Sequence, residues 1–119
     1  MAKRLFDECR RRLLTEREKR LDLLRAAQPS LTARISGDDA DVATAIERQE
    51  VAVVRCERVH RELREIDAAM DRLGNGTYGV CEETEEPIEK ERLLLIPWTR
   101  LSVGGALMRE QEERLRGVG

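Results

Sequence analysis

The sequence predicts a mainly α-helical protein: a long antiparallel coiled-coil hairpin, then a small degenerate zinc-finger-like module, then a C-terminal helix. Three observations carry that prediction. Seam residues, apolar from Ala52 onward, recur at alternating steps of three and four from Gln49 to Leu73, residues 2 to 28 contain no glycine or proline, and 39% of the chain is charged against 3% aromatic. A chain with so many charges and so few aromatics cannot fill a large globular core, whereas two helices with solvated outer faces need only a narrow apolar seam.

The first helix is expected over residues 2 to 28, which are rich in Leu, Arg, Glu and Ala. Phe6, Cys9 and Leu13 follow a 3-4 spacing, Leu21 and Leu24 resume it, and Pro29 is expected to stop the helix. The stretch "PSLTARISGDDAD" reads as a loop, with Asp38 or Asp41 as the N-cap of the second helix. From Val42 to Leu73 the residues Gln49, Ala52, Cys56, Val59, Leu63, Ile66, Met70 and Leu73 form the a/d seam of a coiled coil. Gly74, Asn75 and Gly76 tolerate left-handed backbone and end it. Comparable lengths and a short link make the pair an antiparallel hairpin, with arms of roughly 40 Å at the usual helical rise. Ala106 to Arg116 close the chain as a helix. The expected division is a hairpin over 1–74, its acidic tip near 36–43, and the module with its closing helix over 75–119.

Charge and composition narrow the function. A net charge of −2 advertises no broad phosphate-binding surface, so the expected partner is a protein and not DNA read by sequence. The longest apolar run, Leu93 to Trp98, is too short to cross a bilayer, and the charges of MAKRLFDECRRR interrupt any signal peptide; a cytoplasmic location is expected. Cys9, Cys56 and Cys81 are odd in number and far apart, which suits reduced thiols. The first two fall on apolar seam positions. His60, the only histidine, has no partner at metal-ligand spacing. Trp98, after Pro97, is expected to be the main core anchor of the module.

Two stretches carry chemistry. "GDDAD" puts Asp38, Asp39 and Asp41 at the tip of the hairpin. One acid suffices as a cap, so three suit either capping with dipole complementation or presentation of charge to a partner. In "GTYGVCEETEEPIEKERLLLIPWTRLSVGG" the frame of a four-ligand zinc site falls on Cys81, Thr84, Ser102 and Gly105. Structural zinc takes four ligands, usually Cys or His, and here only Cys81 offers a thiolate, so zinc is not expected.

The same stretch resembles the C-terminal module of the DksA/TraR family of bacterial transcription regulators, through Gly76, Tyr78, Gly79, Cys81, Ile88, Arg92, Leu93 and Pro97. The family's tip pattern, D-x-x-D-x-A, is matched by Asp38, Asp41 and Ala43. The resemblance implies a non-enzymatic, monomeric factor of the stringent-response type that binds RNA polymerase. Its coiled coil would enter the secondary channel, and Asp38, Asp41 and Ala43 would approach the active centre and modulate initiation. The loss of three cysteines is similar to low-cysteine members that fold without metal. Some members bind ppGpp through basic residues at positions held here by Ile96 and Ala106, so a cooperating nucleotide is not expected. A Gre-like role in transcript cleavage and a structural coiled-coil adaptor are the competing readings; acids delivered on a coiled coil to a polymerase metal site serve the first as well.

Overall fold

The computed structural model describes residues 2–118. They form four helices, α1 (Ala2–Thr32), α2 (Asp39–Asn75), α3 (Lys90–Leu95) and α4 (Val103–Val118). Among the described residues the only extended pairing is an isolated antiparallel bridge between Val80 and Pro87. The mainly helical architecture has the expected order, with corrections at the ends. α1 does not stop at Pro29, which lies inside its last turn. Proline there removes one backbone donor, and side chains serve carbonyls of the last turn, which lack helical partners in any case. Thr32 Oγ1 donates to the Gln28 carbonyl at 3.0 Å, and Gln49 Nε2 donates to the Leu31 carbonyl at 3.1 Å. α2 begins at Asp39 and α4 at Val103, each three residues before its expected start, because the capping residues stand further upstream. The six-residue α3 lies within the module.

The chain divides into two compact units, one of them Glu16–Arg64 and the other made of the described residues on either side of it. Within Glu16–Arg64 the later part of α1 and the earlier part of α2 run antiparallel. Arg20 meets Glu62 while Leu31 meets Gln49, so residues later in one helix pair with earlier ones in the other. Gln49, Ala52, Val59 and Leu63 are half-buried and Cys56 is buried, whereas Val51 and Val54, off the seam, are 50% and 62% exposed. Arg20 binds Glu62 through Nη2 at 2.7 Å and Glu16 through Nη1 at 2.6 Å. Burial opposes the charge on Arg20, but the two carboxylates raise its pKa overall.

In the other unit one core joins the long helices to the module. Cys9 and Leu13 of α1, Ile66 and Ala69 of α2, and Tyr78, Cys81, Ile88 and Leu93 are buried together. Leu93, 1% exposed, is the central residue that the module contributes. Trp98, the expected anchor, packs half-buried against the cluster and is not part of its buried centre. The preceding Pro97 takes the fully buried place instead. The Tyr78 hydroxyl donates to the Pro97 carbonyl at 2.7 Å, and its ring meets Phe6 edge-on at 5.0 Å. Gly79 has φ of 85° and a Cβ there would stand 3.0 Å from Phe6 Cζ, so both backbone and space demand glycine.

Replacement of Leu13, fully buried in this core, by alanine should cost about 2–5 kcal/mol. The neighbouring Leu14→Ala, at a side chain 51% exposed, should stay within about 0.5 kcal/mol. Denaturant unfolding of the two variants checks the contrast, and equal losses would place the core elsewhere.

Candidate functional site

At the start of α2 the Asp38 side chain accepts a hydrogen bond from the Asp41 amide at 3.0 Å, while the Val42 amide donates to the Asp38 carbonyl at 2.9 Å. Asp38 is therefore the N-cap and Asp41 the third residue of the helix, which decides between the two candidates. The carboxylates of Asp39 and Asp41 make no hydrogen bond or ion pair with any described residue. Asp38, Asp39, Asp41 and Ala43 are all exposed. Acids in the first turn of a helix gain about 0.3–1 kcal/mol each from its dipole, which makes their mutual crowding tolerable. The local helix thus uses one carboxylate structurally and leaves two exposed.

The second cluster forms in the module, where the fold brings Cys81, Thr84, Ser102 and Gly105 together. The Ser102 hydroxyl caps α4, accepting from the Gly105 amide at 3.0 Å while its carbonyl accepts from the Ala106 amide at 2.8 Å. The Thr84 hydroxyl accepts from the Glu86 amide at 3.3 Å. Each hydroxyl therefore keeps its own hydrogen, and both act to lower the pKa of Cys81. The Cys81 amide donates to the Glu86 carbonyl at 2.8 Å and the Glu85 amide to the Cys81 carbonyl at 2.9 Å, closing the turn around the sulfur. Cys81 is 1% exposed. A Cβ at Gly105 would fall far inside van der Waals contact of Cys81 Sγ, and 3.4 Å from Ser102 Oγ. The sulfur occupies the space that a fourth ligand would need.

One thiolate, two hydroxyls and a bare Cα do not make a tetrahedral zinc site. Among the described residues no group of three or more His, Cys, Asp or Glu side chains is placed to hold a metal ion. Two of the nearby glutamates, Glu82 and Glu83, are held by arginines. Arg100 binds Glu65 at 2.7 Å and Glu82 at 2.8 Å, and Arg109 binds Glu83 at 2.8 Å. These ion pairs join residues 18 to 35 positions apart, and no spacing in the sequence signals them. Ile96 and Ala106 are half-buried, and the adjacent Arg92 donates to the Leu101 carbonyl at 2.8 Å.

Burial pushes the Cys81 thiol up, but hydrogen bonds from the Ser102 and Thr84 hydroxyls, with backbone donors at the same residues, outweigh it and hold the pKa at about 6. Because the folded value lies below the ordinary 9.0, the ionised sulfur contributes stability that is fully present above 9.0 and is lost as pH falls through about 6. The melting temperature of the native chain should therefore fall further between about pH 8 and pH 5 than that of Cys81→Ala. Parallel curves would assign the pH dependence to other groups.

A family profile described as "Prokaryotic dksA/traR C4-type zinc finger" matches residues 76–104. The chain is 32% identical to an uncharacterised protein of Aquifex aeolicus, across 99% of this chain and 83% of that one. It is 35% identical to the RNA polymerase-binding transcription factor DksA of Caulobacter vibrioides, over 66% of this chain and 55% of the relative, which is just over half of the relative's length. Among solved structures it is similar to transcription factor DksA2 from Pseudomonas aeruginosa, with a TM-score of 0.82 and 33% identity, covering 92% of this chain and 86% of that one. With a third of its residues shared along most of a solved relative, and with that relative's fold, the chain belongs to the DksA/TraR family.

Proposed function

We propose that this protein regulates transcription initiation by binding bacterial RNA polymerase, with its coiled coil in the secondary channel and Asp41 and Ala43 near the active centre. It acts by occupancy and charge and catalyses no reaction of its own. The naming of a relative as an RNA polymerase-binding factor supports the partner. The observation that carries the role of the tip is its division of labour. Asp38 makes the cap, whereas the Asp41 carboxylate is exposed and engages no described residue. A carboxylate that the fold does not use can be turned toward a metal or a cationic group of a partner. Ala43, also exposed, leaves room for close approach in a narrow channel.

The experiment replaces Asp38 and Asp41 by Asn, alone and together. Asn caps nearly as well as Asp, so melting temperature and polymerase affinity should hold. Regulation of a sensitive promoter should fall about ten-fold or more in the double variant and in Asp41→Asn, a loss of at least about 1.4 kcal/mol of effective interaction. Full promoter response with retained binding would make the acids caps and nothing more.

We read the module as metal-free, supported by the donor set around Cys81 and by the space its sulfur fills at Gly105. In a zinc-dependent module, binding energy is folding energy and chelation unfolds the protein. Purified protein should carry well below about one zinc per chain, and EDTA should leave the melting curve in place. Stoichiometric zinc by elemental analysis would overturn this. Action without ppGpp belongs to the same reading: Ile96 and Ala106 bring no positive charge, and Arg100 is already held by Glu65 and Glu82.

A further inference from the structure

The start of α1 is strongly basic in an otherwise acidic chain. Residues 3 to 12 hold the five cations Lys3, Arg4, Arg10, Arg11 and Arg12 against the two acids Asp7 and Glu8, while the whole chain has a net charge of −2. No acid stands in the first turn of α1, so Lys3 and Arg4 face the positive end of the helix dipole. That placement opposes helix stability. Beside it, between α1 and α3, runs a groove of about 820 Å³ lined by Arg4, Leu5, Glu8, Arg12, Lys90 and Leu94. Glu8, its one acid, is bound to Arg12 at 3.0 Å and also to Arg11. Arg12 in turn donates to the Leu94 carbonyl at 2.8 Å and ties the two walls together. Arg4 and Lys90 are exposed and make no ion pair or hydrogen bond with any described residue. Between these cations the half-buried Leu5 and Leu94, packed against the core from beneath, form an apolar floor.

We infer that this groove docks an acidic amphipathic segment of RNA polymerase, its carboxylates on Arg4 and Lys90 and its apolar side chains on Leu5 and Leu94. The inference rests on the proposed polymerase partnership and adds a contact surface to it. Two observations choose a protein segment over nucleic acid. Leu5 and Leu94 offer nothing to a phosphodiester backbone, and two uncommitted cations are far fewer than a phosphate track uses. Complementary charge at such a surface speeds encounter and sets register, and its effect weakens with salt.

The test measures affinity of the full chain for purified RNA polymerase, comparing native protein, Arg4→Glu/Lys90→Glu and Arg4→Gln/Lys90→Gln. Neither side chain has a partner to lose and both stand at helix starts, so neither variant should melt below the native chain; the Gln pair serves if the Glu pair does not fold. At low salt the Glu pair should bind about ten-fold more weakly or worse, the Gln pair should fall between, and the differences should shrink toward 1 M salt, where charges are screened within about 3 Å. Native-like affinity of both variants at every salt concentration would overturn the docking groove while leaving the polymerase partnership intact. Failure of the native chain itself to bind would remove that partnership, and the groove's occupant with it. A fluorescent DNA duplex forms the other arm. Loss of duplex binding in the Glu pair with unchanged polymerase affinity would make the groove a nucleic-acid surface and overturn the inference.

Discussion

The module depends on burial that it cannot supply alone. A segment of about thirty residues hides too little apolar surface to offset the entropy of ordering its own chain. Here Tyr78, Ile88 and Leu93 share a single core with Cys9 and Leu13 of α1 and with Ile66 and Ala69 of α2. The long helices are thus structural parts of the module as well as arms of a coiled coil. Phe6 shows how tight the junction is: it lies edge-on to Tyr78, and a Cβ at position 79 would stand only 3.0 Å from its ring.

Hydrogen bonds organise the centre of the module on the same plan. Ser102 serves two ends with one hydroxyl, capping α4 by receiving the Gly105 amide and lowering the pKa of Cys81. Glu89 adds a second hold on α4 by accepting from the Val103 amide at 3.0 Å. Around this centre Arg100 bridges α2 and the Cys81 turn through Glu65 and Glu82, and Arg109 ties α4 back to Glu83. Half-exposed ion pairs of this kind contribute little stability singly. Each joins segments that are far apart in the sequence.

Within Glu16–Arg64 stability and presentation are kept apart. The seam, the Arg20 pairs and the Gln49 contacts with the end of α1 hold the two helices. None of these contacts uses Asp39, Asp41 or Ala43. Substitution at these three positions therefore removes no contact that holds the two helices together.

The sequence by itself determined the helical class and the seam. A period near 3.5 dictates which face of α2 is shielded, so Ala52 and Cys56 separate from Val51 and Val54 before any contact is known. Local rules failed where distant groups meet. Pro29 does not end α1; the turn that follows it is held by side chains, one of them Gln49, eighteen positions beyond the Leu31 carbonyl that it satisfies. Trp98 yields the core centre to Leu93, since a large ring with a polar edge fits a rim better than a small, closed interior. Asp38 and Asp41 are equivalent as letters, and only backbone geometry made the first a cap and left the second open. The module centre shows the same limit. Composition reveals that Thr84, Ser102 and Gly105 cannot hold zinc, but only the folded chain brings two hydroxyls to Cys81 and packs its sulfur against the bare Cα of Gly105, because that contact joins residues twenty-four positions apart.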